Sequence, residues 1–274
     1  MNTIKILFFL LMILLYDLVS AQGFQMEQPP DDKGRVDLVF MHPFFDNVED
    51  LSFLSGVYRL DISFPVSSKL NLVLGFPFST WSYGDRNTEQ GFGNLFAGIQ
   101  TRSADTTGLI PSGTFGIHIP TASEDEWVSN FTAAYTDYQH FHRYFADWLT
   151  IIANGNWYKR DATNSFFGLE FGARFWVPTG STNSDSDIEV VLNYGANGGV
   201  EFDPLMLTLE VVGQFLLSSE SEETSDKFTH TLSFGLDWNR GNFNPALFYS
   251  LYLKEDLSDL VTGVLGIRLS YHTE

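Results

Sequence analysis

The chain has 274 residues, no cysteine and a formal net charge of −19. Phosphate binding needs a basic face, so this acidic balance argues against nucleic acid as a partner. The lack of cysteine excludes disulfides and thiolate metal sites, and the sequence contains no zinc, EF-hand, P-loop or dinucleotide-binding spacing. We therefore expect neither a metal nor a cofactor.

Residues 1–21 have the pattern of an export signal. Lys5 precedes an apolar run from Ile6 to Leu15, and Val19-Ser20-Ala21 offers the small residues of a cleavage site. A transmembrane anchor is the alternative, but the run is short for a membrane helix. The sequence thus predicts a cleaved signal peptide over 1–21 and a single domain over 22–274, which begins with a flexible lead-in over 22–33.

The stretch 187–217 alternates apolar and polar side chains in two arms that are separated by Asp203-Pro204. A period of two puts the two sets on opposite faces of a β-strand. Each arm has at least 13 residues, which exceeds the roughly 9–11 that a tilted strand needs to cross a bilayer. A soluble secreted β-sandwich, whose strands usually have about 5–6 residues, is the alternative.

The same alternation recurs along the mature chain. It predicts twelve strands, over 36–41, 54–64, 70–78, 94–100, 114–119, 149–157, 167–177, 188–201, 205–217, 228–238, 247–253 and 264–271. Short turns alternate with longer, more acidic loops, as periplasmic turns alternate with external loops. We therefore expect an all-β fold, a transmembrane antiparallel up-and-down β-barrel of about 12 strands. The longest connection, 121–143, is compatible with a short helix or with an inward fold.

The inward face of the predicted barrel collects charged and titratable side chains. They are Arg59, Asp61, His118, Glu170, Arg174, Glu189, Glu201, Glu210, Asp237 and Arg268. Such a set is typical either of a charged constriction that selects permeants or of a polar network that fills a narrow lumen. Side chains already fill a barrel of about eight strands, whereas twelve strands leave more room and the many inward glycines widen it further. The pattern therefore predicts a narrow pore and not a wide porin.

His230 is the one polar side chain in the middle of an outward strand face. Some outer-membrane phospholipases place a catalytic histidine and serine outward, so this residue makes a lipid-modifying enzyme an alternative. A triad needs the nucleophile within hydrogen-bond reach of the base. Two positions along, the same face offers Leu232, and Ser233 points inward. The prediction is that the protein is not an enzyme.

Two resemblances to known families rest on short motifs. The last strand alternates up to Tyr271 and resembles the C-terminal assembly signal of bacterial outer-membrane proteins, although three residues follow the aromatic. The stretches 91–95 and 116–121 resemble transporter-like barrels grouped with a phenol meta-pathway family, with Asn94 where an aspartate is expected. The second resemblance implies uptake of small compounds, including hydrophobic ones, and supplies no binding residues.

These patterns together predict a channel or transporter for small solutes in the bacterial outer membrane, exported through its signal peptide. The expected partners are outer-membrane lipids, lipopolysaccharide and a small-molecule permeant, and the barrel would be a monomer or a homo-oligomer. The enzyme centred on His230 stays open as an alternative. So does a structural or adhesive barrel with a blocked lumen, in which 121–143 would be the contact surface.

Overall fold

A computed structural model describes residues 24–30, 33–46, 48, 51–82, 88–101, 103, 109–160, 164–180, 187–218, 227–239 and 241–273. The predicted signal peptide and most of the acidic loop that follows residue 217 lie outside the described residues.

Strands dominate the described part of the chain. They are β1 Arg35–Phe45, β2 Gly56–Ser67, β3 Leu70–Trp81, β4 Glu89–Phe92, β5 Leu95–Thr101, β6 Leu109–Ile119, β7 Trp148–Arg160, β8 Ser165–Pro178, β9 Glu189–Phe202, β10 Leu205–Leu216, β11 Phe228–Trp238, β12 Phe243–Tyr252 and β13 Val261–His272. All twelve predicted strands are confirmed. The additional strand, β4, has four residues and pairs with the end of β3.

Antiparallel pairing of neighbours closes the sheet into a barrel. The order runs from β1 to β3, then β5 to β13, and β13 pairs with β1 over the whole length of β1. Closure leaves no strand edge to be satisfied by water, which is what a chain needs to cross a bilayer as strands. The predicted up-and-down barrel is therefore confirmed, with β4 as an appendage to its wall.

The two faces of the wall differ as the alternation predicts. Large apolar side chains point outward, and Phe115, Phe171 and Leu209 are 56%, 55% and 47% exposed. Charged and amide side chains point inward and are mostly buried, including Glu210 at 0% and Arg268 at 3% exposed. Since an apolar outer belt on a closed barrel suits hydrocarbon, the outer face is fit for lipid contact.

The connection between β6 and β7 contains both a short helix and an inward fold. A 3₁₀ turn, Glu124–Glu126, leads into α1, Trp127–Thr136, and a second 3₁₀ segment, Tyr138–Arg143, follows. Ala133 and Ala134 of α1 join a buried apolar cluster with Val57 and Val264 of the inner wall. A second helix, α2 (Glu255–Ser258), joins β12 to β13. No helix in the described residues is long and apolar enough to span a membrane.

The lead-in before β1 was expected to be flexible, and for its described part this prediction is wrong. Phe24, Gln25 and Met26 are only 5%, 7% and 3% exposed, because they lie inside the barrel. We call residues 24–30 the N-terminal segment. The end of the barrel that holds Arg35, His272 and the short hairpin turns is called the turn end, and the opposite end, with the β6–β7 connection, the loop end.

Candidate functional site

Glu210 anchors the N-terminal segment near the middle of the lumen. The alternation of β10 points its carboxylate inward, where it accepts three backbone N–H groups. Oε2 accepts from Phe24 at 3.0 Å and from Met26 at 3.3 Å, and Oε1 accepts from Gln25 at 2.6 Å. A buried carboxylate needs such partners, because desolvation without compensating hydrogen bonds is costly.

Glu27 ties the same segment to the opposite wall. Its backbone N–H donates to Glu170 at 2.8 Å, and its carboxylate accepts from Asn154 at 2.7 Å and Asn156 at 3.0 Å. The hydroxyl of Tyr158 donates to the Glu27 carbonyl. Burial raises the pKa of Glu27 above its usual value, although these amides and Arg174 oppose the shift.

The side chains of the N-terminal segment fill space that wall residues leave open. The Phe24 ring stacks on Phe248 with ring centroids 4.8 Å apart, and the Arg268 guanidinium lies 5.1 Å from the same ring centroid. A Cβ added to Gly235 would overlap the Phe24 ring. The inward glycines were predicted to widen the lumen, but at this position the chain itself occupies the extra room.

The second 3₁₀ segment extends into the lumen at the loop end. The carbonyl of Gln139 accepts from both Arg174 on β8 and Gln214 on β10. Its side-chain amide donates to Thr231 on β11 at 2.8 Å. One residue therefore spans three wall strands, which fixes the segment across the lumen.

We call residues 137–143 the loop-end segment, and Asp137 supplies its buried carboxylate. It is fully buried, accepts from His140 Nδ1 at 2.9 Å and lies 3.3 Å from Arg59 and 3.9 Å from Arg143. Although burial opposes ionisation, the hydrogen bond from His140 and the nearby cations hold the pKa of Asp137 below its usual range. Burial, followed by the charge of Arg143, lowers the pKa of His140 to about 3. His140 is therefore neutral at pH 7, and Asp137 pairs with the arginines.

Asn94, at the break between β4 and β5, positions both ends of the inserted connection. Its Nδ2 donates to the carbonyls of His142 at 3.0 Å and Phe145 at 2.8 Å. Its Oδ1 accepts the backbone N–H groups of Thr121 and Ala122, both at 3.0 Å. An aspartate, which has no donor when ionised, could not hold the two carbonyls, so the asparagine suits this arrangement.

A cavity of about 110 Å³ lies between the two inserted segments. Glu27 and Gln28 of the N-terminal segment, His140 and Arg143 of the loop-end segment, and Glu170 of the wall contribute to its lining. On the scale of roughly 10–15 Å³ for one water, it has room for several waters. The lumen is thus filled by the chain at two levels and open between them.

The barrel brings most of the predicted lumen residues together around this cavity. Its lining includes Arg59, Asp61, His118, Glu170, Arg174 and Arg268. Glu210 binds the N-terminal segment directly beside it. Asp237 pairs with Arg268 at 2.6 Å, and Glu201 is buried near the turn end, where it accepts from Asn239. Glu189 is separate, since it lies at the start of β9 at the loop end, where it accepts from Ser218.

His230 lies on the outer face as predicted. Its Nε2 is 2.6 Å from the hydroxyl of Tyr194 on β9. Ser233 faces the interior, where its hydroxyl contacts that of Ser250 at 2.8 Å. Within the described residues, therefore, no serine hydroxyl is placed on His230 as a triad would require.

Sequence reasoning missed the residues that fill the lumen. Phe24 and Glu27 fell in the expected lead-in, and Asp137 and Gln139 fell in the connection whose fold was left open. The alternation of apolar and polar residues from Phe24 to Gln28 was the available signal for an ordered, strand-like segment. Among the described side chains, no group of three or more histidines or acids is arranged to hold a metal ion.

Comparisons with known proteins concern the fold. No protein-family model matches the sequence, and no curated protein matches it. The COG4313 outer membrane channel from Pseudomonas putida F1 is similar in structure, with a TM-score of 0.59, 13% identity, and coverage of 93% of this chain and 100% of that chain. The KdgM porin has a TM-score of 0.53, 9% identity and coverage of 88% and 99%.

The NanC porin gives a similar result, with a TM-score of 0.53, 9% identity and coverage of 87% of this chain and 99% of that chain. Identities this low establish the architecture and not a shared substrate. The chain therefore has the closed antiparallel β-barrel fold found in these outer-membrane channels.

Proposed function

We propose that the protein is a channel for small solutes in the bacterial outer membrane and that its N-terminal segment holds it closed. The observation that carries the proposal is the way this segment is bound. Nine hydrogen bonds between described residues join it to the wall, and three of its backbone donors meet a single buried carboxylate, Glu210. Contacts of this kind can be exchanged for water, whereas an apolar plug would have no such replacement.

The architecture supports the same proposal. An apolar outer face suits lipid, and a lumen lined by charged and amide groups suits a hydrated solute. The solved structures with this fold include barrels named as a channel and as porins. The proposal also includes three predictions. These are export through a cleaved signal over 1–21, contact with lipopolysaccharide, and a monomeric or homo-oligomeric state.

The permeant class is a narrower prediction. The resemblance of 91–95 and 116–121 to phenol meta-pathway barrels adds hydrophobic compounds to the expected solutes. The mixed charges of the lumen favour small polar ones. Uptake of a radiolabelled aromatic compound and of a small sugar by cells with and without the protein would separate these classes.

The direct test is single-channel recording of the refolded barrel in planar bilayers. We expect rare, brief conductance steps from the complete barrel and sustained steps from a variant that lacks residues 24–30. A second variant, in which 24–30 is replaced by glycine and serine at the same length, controls for the length of the lead-in. It should conduct more than the native barrel, because it lacks the Phe24 and Glu27 side chains.

Folding is verified by electrophoretic mobility with and without boiling. A deletion variant that shifts on heating as a folded barrel does, yet never conducts, would contradict the channel. That result would instead favour the structural barrel with a blocked lumen, the reading that the two inserted segments also support.

A further inference from the structure

Arginine is concentrated around the lumenal cavity. Five of the nine arginines in the sequence line it: Arg35, Arg59, Arg143, Arg174 and Arg268. No lysine is among the lining residues. In a chain with a net charge of −19, this placement sets the cavity apart from the rest of the protein.

Three of the five arginines have a close carboxylate partner. The pairs are Arg35 with Asp37 at 2.9 Å, Arg59 with Asp61 at 2.6 Å, and Arg268 with Asp237 at 2.6 Å. These guanidinium groups are neutralised where they lie, as buried charges must be.

Arg174 and Arg143 differ from the other three in the pairing of their charge. Arg174 is 4% exposed, and no carboxylate among the described residues lies within the 4.0 Å that defines an ion pair. The carboxylate nearest to Arg143 is Asp137, at 3.9 Å, and it is shared with Arg59. The Nε atoms of both Arg143 and Arg174 are buried and have no hydrogen-bond partner in the described structure.

Glu170 is the acid that shares strand β8 with Arg174. Glu170 and Arg174 are four residues apart on β8. Their Cα atoms are therefore about 13 Å apart, at a strand rise of about 3.3 Å per residue. Glu170 meets the N-terminal segment, and Arg174 meets the loop-end segment. We call the part of the cavity at Arg143 and Arg174 its basic end, and Glu27 and Glu170 lie toward the N-terminal segment. Burial, reinforced by the charge of Arg59, lowers the pKa of Arg143, which indicates crowded positive charge at the basic end.

We propose that the basic end of the cavity, at Arg143 and Arg174, binds a small oxyanion of the phosphate or carboxylate class. Guanidinium groups present planar forks of N–H donors that match the oxygens of these anions. The volume of about 110 Å³ accommodates such an anion together with a few waters. The ligand supplies the acceptors that the two Nε atoms lack within the protein.

This inference goes beyond channel function, since binding requires the filled lumen and no conduction. Equilibrium dialysis of the refolded barrel against radiolabelled orthophosphate, at fixed ionic strength, measures it directly. The barrel is refolded in the presence of the anion, so that access to the closed cavity does not limit binding. Acetate, added as a competitor, tests the carboxylate class.

We expect saturable binding with one site per barrel. Arg174→Gln and Arg143→Gln should each weaken it by about ten-fold, which corresponds to about 1.4 kcal/mol. Arg35→Gln is the matched control, because Arg35 also lines the cavity but has its own carboxylate. Its affinity should stay close to that of the native barrel.

Arg174→Lys keeps the positive charge but loses the planar guanidinium, so we expect an intermediate affinity. If Arg174→Gln does not fold, the single variants Arg174→Lys and Arg143→Gln provide the test. Absence of saturable phosphate and acetate binding would overturn the proposal. So would equal binding by the native barrel and both glutamine variants, or an equal loss in Arg35→Gln. None of these outcomes depends on whether the barrel conducts.

Discussion

Replacing Glu210 with glutamine should release the N-terminal segment. The carboxylate uses both oxygens, Oε2 for two backbone N–H groups and Oε1 for a third. A glutamine amide keeps one acceptor oxygen and turns an NH₂ group toward the remaining donors, so at least one bond is lost and none is charge-assisted. At about 1 kcal/mol for each net hydrogen bond, and more where a charge takes part, the loss is about 2–3 kcal/mol.

The closed state is poised closely enough for this loss to matter. The nine hydrogen bonds of the segment are worth about 9 kcal/mol in total, at about 1 kcal/mol each. Burial of Phe24 and Met26 adds about 4 kcal/mol. Ordering the seven residues 24–30 costs about 10 kcal/mol, at about 1.5 kcal/mol per residue. The docked state is then favoured by about 3 kcal/mol, so the withdrawn state has a population of about one per cent or less.

Single-channel recording tests this estimate through the open fraction. Glu210→Gln should raise that fraction from about one per cent or less to about 15–50%. Glu189→Gln makes the same chemical change on the neighbouring strand at the loop end, and it should leave the open fraction unchanged. If folded Glu210→Gln barrels open no more often than native ones, the carboxylate does not hold the segment, and the reasoning fails.

Three further perturbations test the same arrangement. Gly235→Ala places a methyl group where the Phe24 ring lies, so it should raise the open fraction of the channel. Gly198→Ala is the control, because the nearest atom to its added methyl group would be 3.4 Å away. Equal open fractions in the two variants would refute the steric argument. Asp137→Asn leaves buried arginines underpaired and should cost about 3 kcal/mol or more in urea unfolding of the refolded barrel, with a smaller loss in the partly exposed control Asp61→Asn. Burial raises the pKa of docked Glu27, so the docked state binds the proton more tightly than the withdrawn state does. Docking is therefore favoured at low pH and weakened as pH rises through the raised pKa. The open fraction should increase with pH, and a slope that survives Glu27→Gln would show that other groups control it.

The wall of the barrel could be predicted from the sequence because local pattern decides it. In the hairpin 187–217, a period of two alone places Glu210 inward and Leu209 outward. Strand length then separates a membrane barrel from a sandwich. A sheet that spans lipid must close, because an unpaired strand edge has no water there to bind. The inward positions of Glu170, Arg174 and Arg268 followed from the same rule.

The contents of the lumen could not be predicted because long-range polar contacts determine them. Glu27 meets Glu170 across 143 positions, and Gln139 meets Thr231 across 92. No periodicity relates such partners, and each contact depends on the register of several strands at once. The inward glycines illustrate the error, since a missing side chain was read as free space. At Gly235 it is instead the space for Phe24.

The wall residues that bind the N-terminal segment in the closed barrel are also the residues that a solute would meet in an open one. Glu170 and Glu210 belong to the wall and lie five positions into β8 and β10 from the turn end, so they stay in place when the N-terminal segment leaves. Arg174 lies nearer the loop end on β8. In the proposed open state an ion attracted at one of these levels would be repelled at the other, so we expect small neutral or zwitterionic solutes to pass more readily than ions of a single charge. Under the proposed function, the charged constriction and the polar network, which were alternatives in the sequence, would be the open and closed states of one set of side chains.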